Sequence, residues 1–221
     1  MNLEHTKPAD IERTSMGIIE AELSSRGIHL EEANAAVVKR VIHTTADFDY
    51  AENLRFTPDA VAKGVAALRG GTIVTDTNMA LAGISKPALA RLGGDAVCFM
   101  ADPAIAAQAK AEGTTRAVAA VTRAGELYPK AILAVGYAPT ALLRAVELME
   151  KQDWRPALVI GVPVGFVNVV ESKELLLETC LRFQVPAIVA LGRKGGSNVA
   201  AAICNALLYT AADLLDPSAR N

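Results

Sequence analysis

Five short apolar runs, at residues 72–75, 96–100, 131–135, 157–160 and 187–191, alternate with segments of helical pattern along most of this chain. Runs that are apolar at successive positions bury both faces of a strand, and helices placed between them supply the cover. The pattern therefore predicts an α/β fold with a mainly parallel sheet flanked by helices in three layers. Helices are expected after Ser85, Asp102, Pro139, Glu171 and Ser197. An N-terminal helical segment precedes the alternation. Its first helix runs from Pro8 to Gly27, its second from about Glu31 to His43, and its third starts at Pro58 behind Thr57 and stops at Gly70-Gly71. With 221 residues, 52% of them apolar, and no repeat or linker to divide it, the chain is expected to form one domain over 1–221. The tail 216–221 is expected to fray.

Charge removes several classes of partner. The 22 basic and 24 acidic residues give a formal net charge of -2, so no global field draws the chain to nucleic acid or to an anionic membrane. An acidic ligand must be held by local groups. Residues 1–15 lack the basic region and apolar run of a secretory signal, and no apolar stretch approaches the length of a membrane span. Cys98, Cys180 and Cys204 are odd in number and far apart, which predicts buried free thiols in a reducing cytoplasm and no metal site.

In open parallel sheets the ligand crevice lies beyond the carboxyl ends of the strands. The turns there are the unusual ones: Thr75-Asp76-Thr77-Asn78, Gly136-Tyr137-Ala138-Pro139-Thr140, Gly161-Val162-Pro163-Val164-Gly165-Phe166, and Gly192-Arg193-Lys194-Gly195-Gly196-Ser197. In the last, two glycines permit close backbone approach, Ser197 can cap the following helix, and the helix start with Arg193 and Lys194 attracts an anion. The order differs from a phosphate-binding P-loop, and no G-x-G-x-x-G follows a strand. A carboxylate fits as well as a phosphate, so an enzyme acting on a phosphorylated metabolite and a plain glycine turn with two solvated cations both stand as alternatives. Residues 162–166 read equally well as a tight strand exit. Glu171 suits a helix start, and Lys173 two residues later can face water.

Of the three histidines, His5 lies in a polar tail and His29 in a short connection. His43 closes an apolar helix before Thr44-Thr45-Ala46-Asp47-Phe48-Asp49-Tyr50. The negative helix end with Asp47 or Asp49 would favour imidazolium, raising its pKa and suiting it to donate a proton. The same placement also fits a simple cap on the last carbonyls.

Taken together and in order, the segment Val41 through Tyr50, Thr75-Asp76-Thr77-Asn78-Met79, Ala138-Pro139-Thr140-Ala141-Leu142, Val162-Pro163-Val164-Gly165-Phe166 with Glu171-Ser172-Lys173, and the turn from Gly192 to Ser197 resemble the precorrin-8X methylmutases of cobalamin biosynthesis. The family usually has Asn where Tyr137 stands. The resemblance implies an isomerase that moves a methyl group from C-11 to C-12 of precorrin-8 or its cobalt form, giving hydrogenobyrinate or cobyrinate without a cofactor. It implies that His43 is the acid that enables a 1,5-sigmatropic shift. It also implies a homodimer with the tetrapyrrole at or near the subunit interface and Arg116 close to it. Substrate contacts are expected from Arg116, Thr75, Asp76, Thr77, Pro163, Val164, Gly165, Phe166, Arg193, Lys194, Gly195, Gly196 and Ser197. A carrier that binds a tetrapyrrole without changing it is the rival reading.

Overall fold

The computed structural model describes residues 7–220, so His5 and Asn221 lie outside the described residues. The N-terminal segment comprises α1 (Pro8–Ser25), α2 (Glu32–Thr45), the single turn α3 (Tyr50–Asn53), β1 (Leu54–Phe56) and α4 (Ala60–Ala67). The alternating part follows: β2 (Thr72–Thr75), α5 (Asn78–Gly83), α6 (Lys86–Arg91), β3 (Asp95–Cys98), α7 (Pro103–Ala111), α8 (Arg116–Leu127), β4 (Ile132–Val135), α9 (Pro139–Lys151), β5 (Leu158–Gly161), α10 (Val169–Phe183), β6 (Ala187–Ala190) and α11 (Ser197–Ala211). A 3-10 turn, Pro217–Arg220, closes the described chain.

All six strands form one sheet in the order β1-β6-β5-β4-β2-β3. Strands β2 to β6 pair in parallel, and β1 is antiparallel to β6, with Leu54 opposite Ala190. Successive side chains on a strand point to opposite faces, so each strand feeds two cores. Ile73, Ile132, Leu158, Ile160 and Ile188 join residues of α1, α2, α4, α5, α6 and α11 on one face. Val74, Leu133, Val135, Val159 and Val189 join α8, α9 and α10 on the other. The three-layer α/β fold is thus the one the alternation predicts.

Four local expectations are corrected. The polar run from Thr44 to Tyr50 leads into α3 and the edge strand β1, which the sequence pattern did not mark; the three residues of β1 are too few to show a period. The third helix starts two residues later than Pro58, after Asp59 in the left-handed region (φ 60°), because the Thr57 hydroxyl accepts the amide of Ala187 instead of capping. The helix after Asp102 is two, divided at Gly113 (φ 64°) and restarted by Thr115, whose hydroxyl accepts the amide of Val118. Finally, 217–220 is held in place, since Arg220 donates to both carboxylate oxygens of Glu12 at 2.8 and 2.9 Å. Among the described residues no helix is long and apolar enough to cross a membrane.

Candidate active site

The strand order reverses at β2, which has β3 on one side and β4 on the other. A ligand crevice is expected between the carboxyl ends of β2 and β4. In this chain a side chain already fills it. Asp76, buried, accepts the amide of Gly136 on Oδ1 and those of Tyr137 and Ala138 on Oδ2, each at 2.8 Å. Burial holds its pKa above the ordinary carboxylate value, against backbone N–H groups that favour the charge. Thr75 donates toward the carbonyl of Thr77 at 3.1 Å, and the Thr77 hydroxyl caps α5 by accepting the amide of Ala80. Ser197 does not cap α11 as its sequence position suggested. Gly196 (φ 136°) holds the cap position, and the Ser197 hydroxyl lies 2.8 Å from that of Thr77. Thr75, Asp76, Thr77 and Ser197 therefore knit the strand-end turns to one another.

Open space lies beside this knot. A cleft of about 550 Å³ is lined by Met100, Thr115 and Arg116, by 137–140, by 164–167 and by Val169. Its rim is apolar and bare: Phe166 is 82% exposed, Val167 77% and Tyr137 65%. Arg116 opens α8 beside Thr115, whose hydroxyl lies 3.2 Å from that of Thr140 on α9.

The turns after β5 and β6 are locked together. Gly165 donates to the carbonyl of Arg193 at 3.2 Å, and Gly196 to that of Val162 at 2.8 Å. A Cβ on Gly195 would stand 2.1 Å from the Val162 oxygen and 2.7 Å from that of Pro163, so this position requires glycine. The Arg193 guanidinium sits 5.4 Å from the centre of the Phe166 ring, within cation–π range. Lys194 turns the other way, donating to Asp47 and Asp49 at 2.6 Å each. That pair of bonds draws the turn after α2 to the β6–α11 turn within one chain, and Lys194 helps to hold Asp47 below the usual carboxylate range. Lys173, expected to be free to face water, is fully buried and donates to the carbonyls of Gly192 and Lys194 at 2.9 and 2.8 Å.

His43 lies on the last turn of α2, with Nδ1 2.8 Å from the Ser15 hydroxyl of α1. Around it, Glu12 accepts from Arg40 and Arg220. The expectation of a raised pKa is corrected: burial lowers it, Arg40 and Arg220 lower it further, and Glu12 opposes them. Asp47 and Asp49, assigned by sequence to lift it, are bound to Lys194. The Ser15 hydroxyl can accept from Nδ1–H both in the imidazolium and in the neutral ring left when Nε2 gives up its proton, so Nε2 is left for a ligand. The cleft lining does not include His43: α2 packs in the core on one face of the sheet, α8 and α9 in the core on the other.

Ser15 and the buried role of Lys173 escaped sequence reasoning. A signal for Ser15 existed, since Glu12 and Ser15 share the helical spacing of the buried Ile19 and Leu23. Nothing local marks Lys173, because its acceptors come from a turn some twenty residues away in sequence (|i−j| of 19 and 21).

Comparison with known proteins gives a consistent result. The family description "Precorrin-8X methylmutase" matches residues 10–210. A cobalt-precorrin-8 methylmutase of Salmonella typhimurium is 49% identical over 79% of this chain and 80% of its own length. One from Leptospira interrogans is 41% identical over 90% of this chain and 92% of its own. A crystal structure of precorrin-8x methyl mutase from Thermus thermophilus superposes with a TM-score of 0.82 at 42% identity, over 92% of this chain and 98% of that one.

Proposed function

The chain belongs to the precorrin-8X methylmutase family, and from that premise we propose that His43 is its proton donor and that the strand-end cleft holds its substrate. The enzyme is an isomerase of cobalamin biosynthesis, and its relatives do not favour a carrier that leaves the ligand unchanged. The substrate is precorrin-8 or its cobalt form, an apolar macrocycle edged with carboxylates, and a methyl group moves from C-11 to C-12. The reaction is an isomerisation, so the protein has to supply binding, orientation and one mobile proton.

The observation that carries the role of His43 is the 2.8 Å contact between Nδ1 and Ser15. It fixes the ring and leaves Nε2 to give a proton to the macrocycle. The electron deficiency so created lowers the barrier to the 1,5-shift. Loss of a proton from the rearranged ring then recharges the imidazole, so protons and electrons balance without a co-reactant. Bound carboxylates supply the negative field that His43 lacks in the free protein, lifting its pKa toward the working pH. Arg116 and the turn of Arg193, Gly195 and Gly196 bind carboxylates, and Pro163, Val164, Gly165 and Phe166 cover the ring. Thr75, Asp76, Thr77 and Ser197 shape this surface from beneath, and Lys194 ties it to the turn after α2.

The whole chain works as one domain in a cytoplasmic homodimer, the three free cysteines suiting a reducing compartment. Separation of His43 from the cleft, together with the bare apolar rim, supports a site completed across the two-fold, where one copy's His43 meets the other copy's cleft. His43→Ala tests the acid: single-turnover rates with precorrin-8 at saturation should fall roughly 10²–10⁴-fold with Kd little changed. Near-normal turnover in that variant overturns the assignment.

A further inference from the structure

Lys173 is the one fully buried large charged side chain among the described residues, and its two bonds go to main-chain carbonyls of the turn between β6 and α11. A lysine is rarely fully buried without a carboxylate partner, because desolvation of the ammonium is costly. Among the described residues no carboxylate bonds to this one. On its own helix neither Glu171 nor Glu174 bonds to it, and on α9 Arg144 and Glu147 pair with each other while Glu150 pairs with Arg182. On the turn itself Lys194 is bound to Asp47 and Asp49, and Arg193 lies over Phe166. Among the described residues Lys173 thus has no counter-ion, and it lies directly under the turn assigned to bind carboxylates.

We propose that Lys173 is the positioning residue of that turn, fixing the carbonyls of Gly192 and Lys194 so that Arg193 and the amides that open α11 face the ligand, and that a bound substrate carboxylate is its missing counter-charge. The proposal rests on the reading of residues 192–197 as the carboxylate-binding turn. Geometry supports its first part: in a trans peptide the N–H lies opposite the carbonyl, so holding the carbonyls of Gly192 and Lys194 on the ammonium turns the amides of Arg193 and Gly195 away from it. The amide of Gly196 goes to the carbonyl of Val162. The second part follows from charge. Burial alone lowers the Lys173 pKa to about 8. The ligand's carboxylates are ionised throughout the neutral and alkaline range, so the attraction is complete below about pH 8 and lost above it. A neutral amine still has two N–H groups for the two carbonyls, so only the charge is lost on titration.

The test is equilibrium binding of hydrogenobyrinate to the wild-type dimer and to Lys173→Met and Arg193→Ala, at about pH 7 and about pH 9.5, with kcat measured at saturation. Lys173→Met is expected to raise Kd roughly tenfold at neutral pH with kcat within about twofold. Wild-type affinity is expected to fall several-fold on passing through about pH 8, and Lys173→Met to be flat there. Lys173→Arg, charged throughout, should restore tight binding without the pH step; if it does not fold, the wild-type and Met arms decide alone. Wild-type binding by Lys173→Met, a loss confined to kcat, or a flat wild-type profile each overturn the proposal. Should Arg193→Ala also bind normally, it is the carboxylate-binding reading of the turn that fails; should only Arg193→Ala weaken binding, that reading stands and Lys173 has no part in it.

Discussion

The end of α2 and the cleft at the strand ends are built from opposite materials. Around His43 stand Ser15, Arg40, Glu12 and Arg220, with Glu12 bonded to both arginines. Arg40 and Arg220 also lie over the ring of Tyr209, at 5.2 and 3.9 Å from its centre. Around the cleft stand Phe166, Val167 and Tyr137, largely exposed, with Arg116 the one charged residue of its lining. On the proposed reading the first region tunes an acid by its local field, and the second offers area to a flat apolar ligand. On that reading the contrast teaches that acid and binding surface are separate constructions in this fold, with Lys194 one of the links between the cleft-side turn and the turn after α2.

Removing the support of one region should leave the other intact. The largest effect is expected on the cleft side from Asp76→Ala, which deprives three amides, one of them buried, of their acceptor. A loss of about 3 kcal/mol or more is expected in denaturant unfolding, with substrate binding impaired at the same time. Unchanged stability would mean that the strand-end knot does not depend on this carboxylate. A smaller effect is expected on the proton side. His43 is depressed below its ordinary value in the free protein, and the acid must be protonated to act, so kcat/KM should be high at low pH and fall as pH rises through a value below about 6.5. The corresponding fall in kcat should lie higher, because bound carboxylates favour the imidazolium. Ser15→Ala should lower kcat about threefold to tenfold and move this profile, with Kd unchanged. An unmoved profile in that variant would detach Ser15 from the acid.

Much of the framework was legible because buried parallel strands announce themselves. The runs at 72–75, 131–135 and 187–191 lie within one residue of β2, β4 and β6. By contrast β1 was invisible, since Leu54–Phe56 pairs with β6 only through the tertiary fold. The candidate residues were legible by type and by family resemblance, not by environment. Asp47 and Asp49 sit close to His43 in sequence, yet a lysine about 145 residues away takes both (|i−j| of 147 and 145). The lowered pKa of His43 comes first from burial, then from its own helix, through Arg40, and from the chain's far end, through Arg220. Sequence proximity and helix-end polarity were the only guides available, and tertiary pairing overrode both.

The central claim is that the acid of one copy serves the cleft of the other. Mixing two defective proteins tests it most directly. His43→Ala and Arg116→Ala dimers are each assayed alone at substrate well below KM, then dissociated, mixed in equal amounts and reassociated. If the site is shared, every mixed dimer carries one site with both defects and one with neither. Half the dimers are mixed and half of their sites are intact, so activity should rise to roughly a quarter of wild type. Activity that stays at the mean of the two parents would place His43 and Arg116 in the same copy's site and contradict the account.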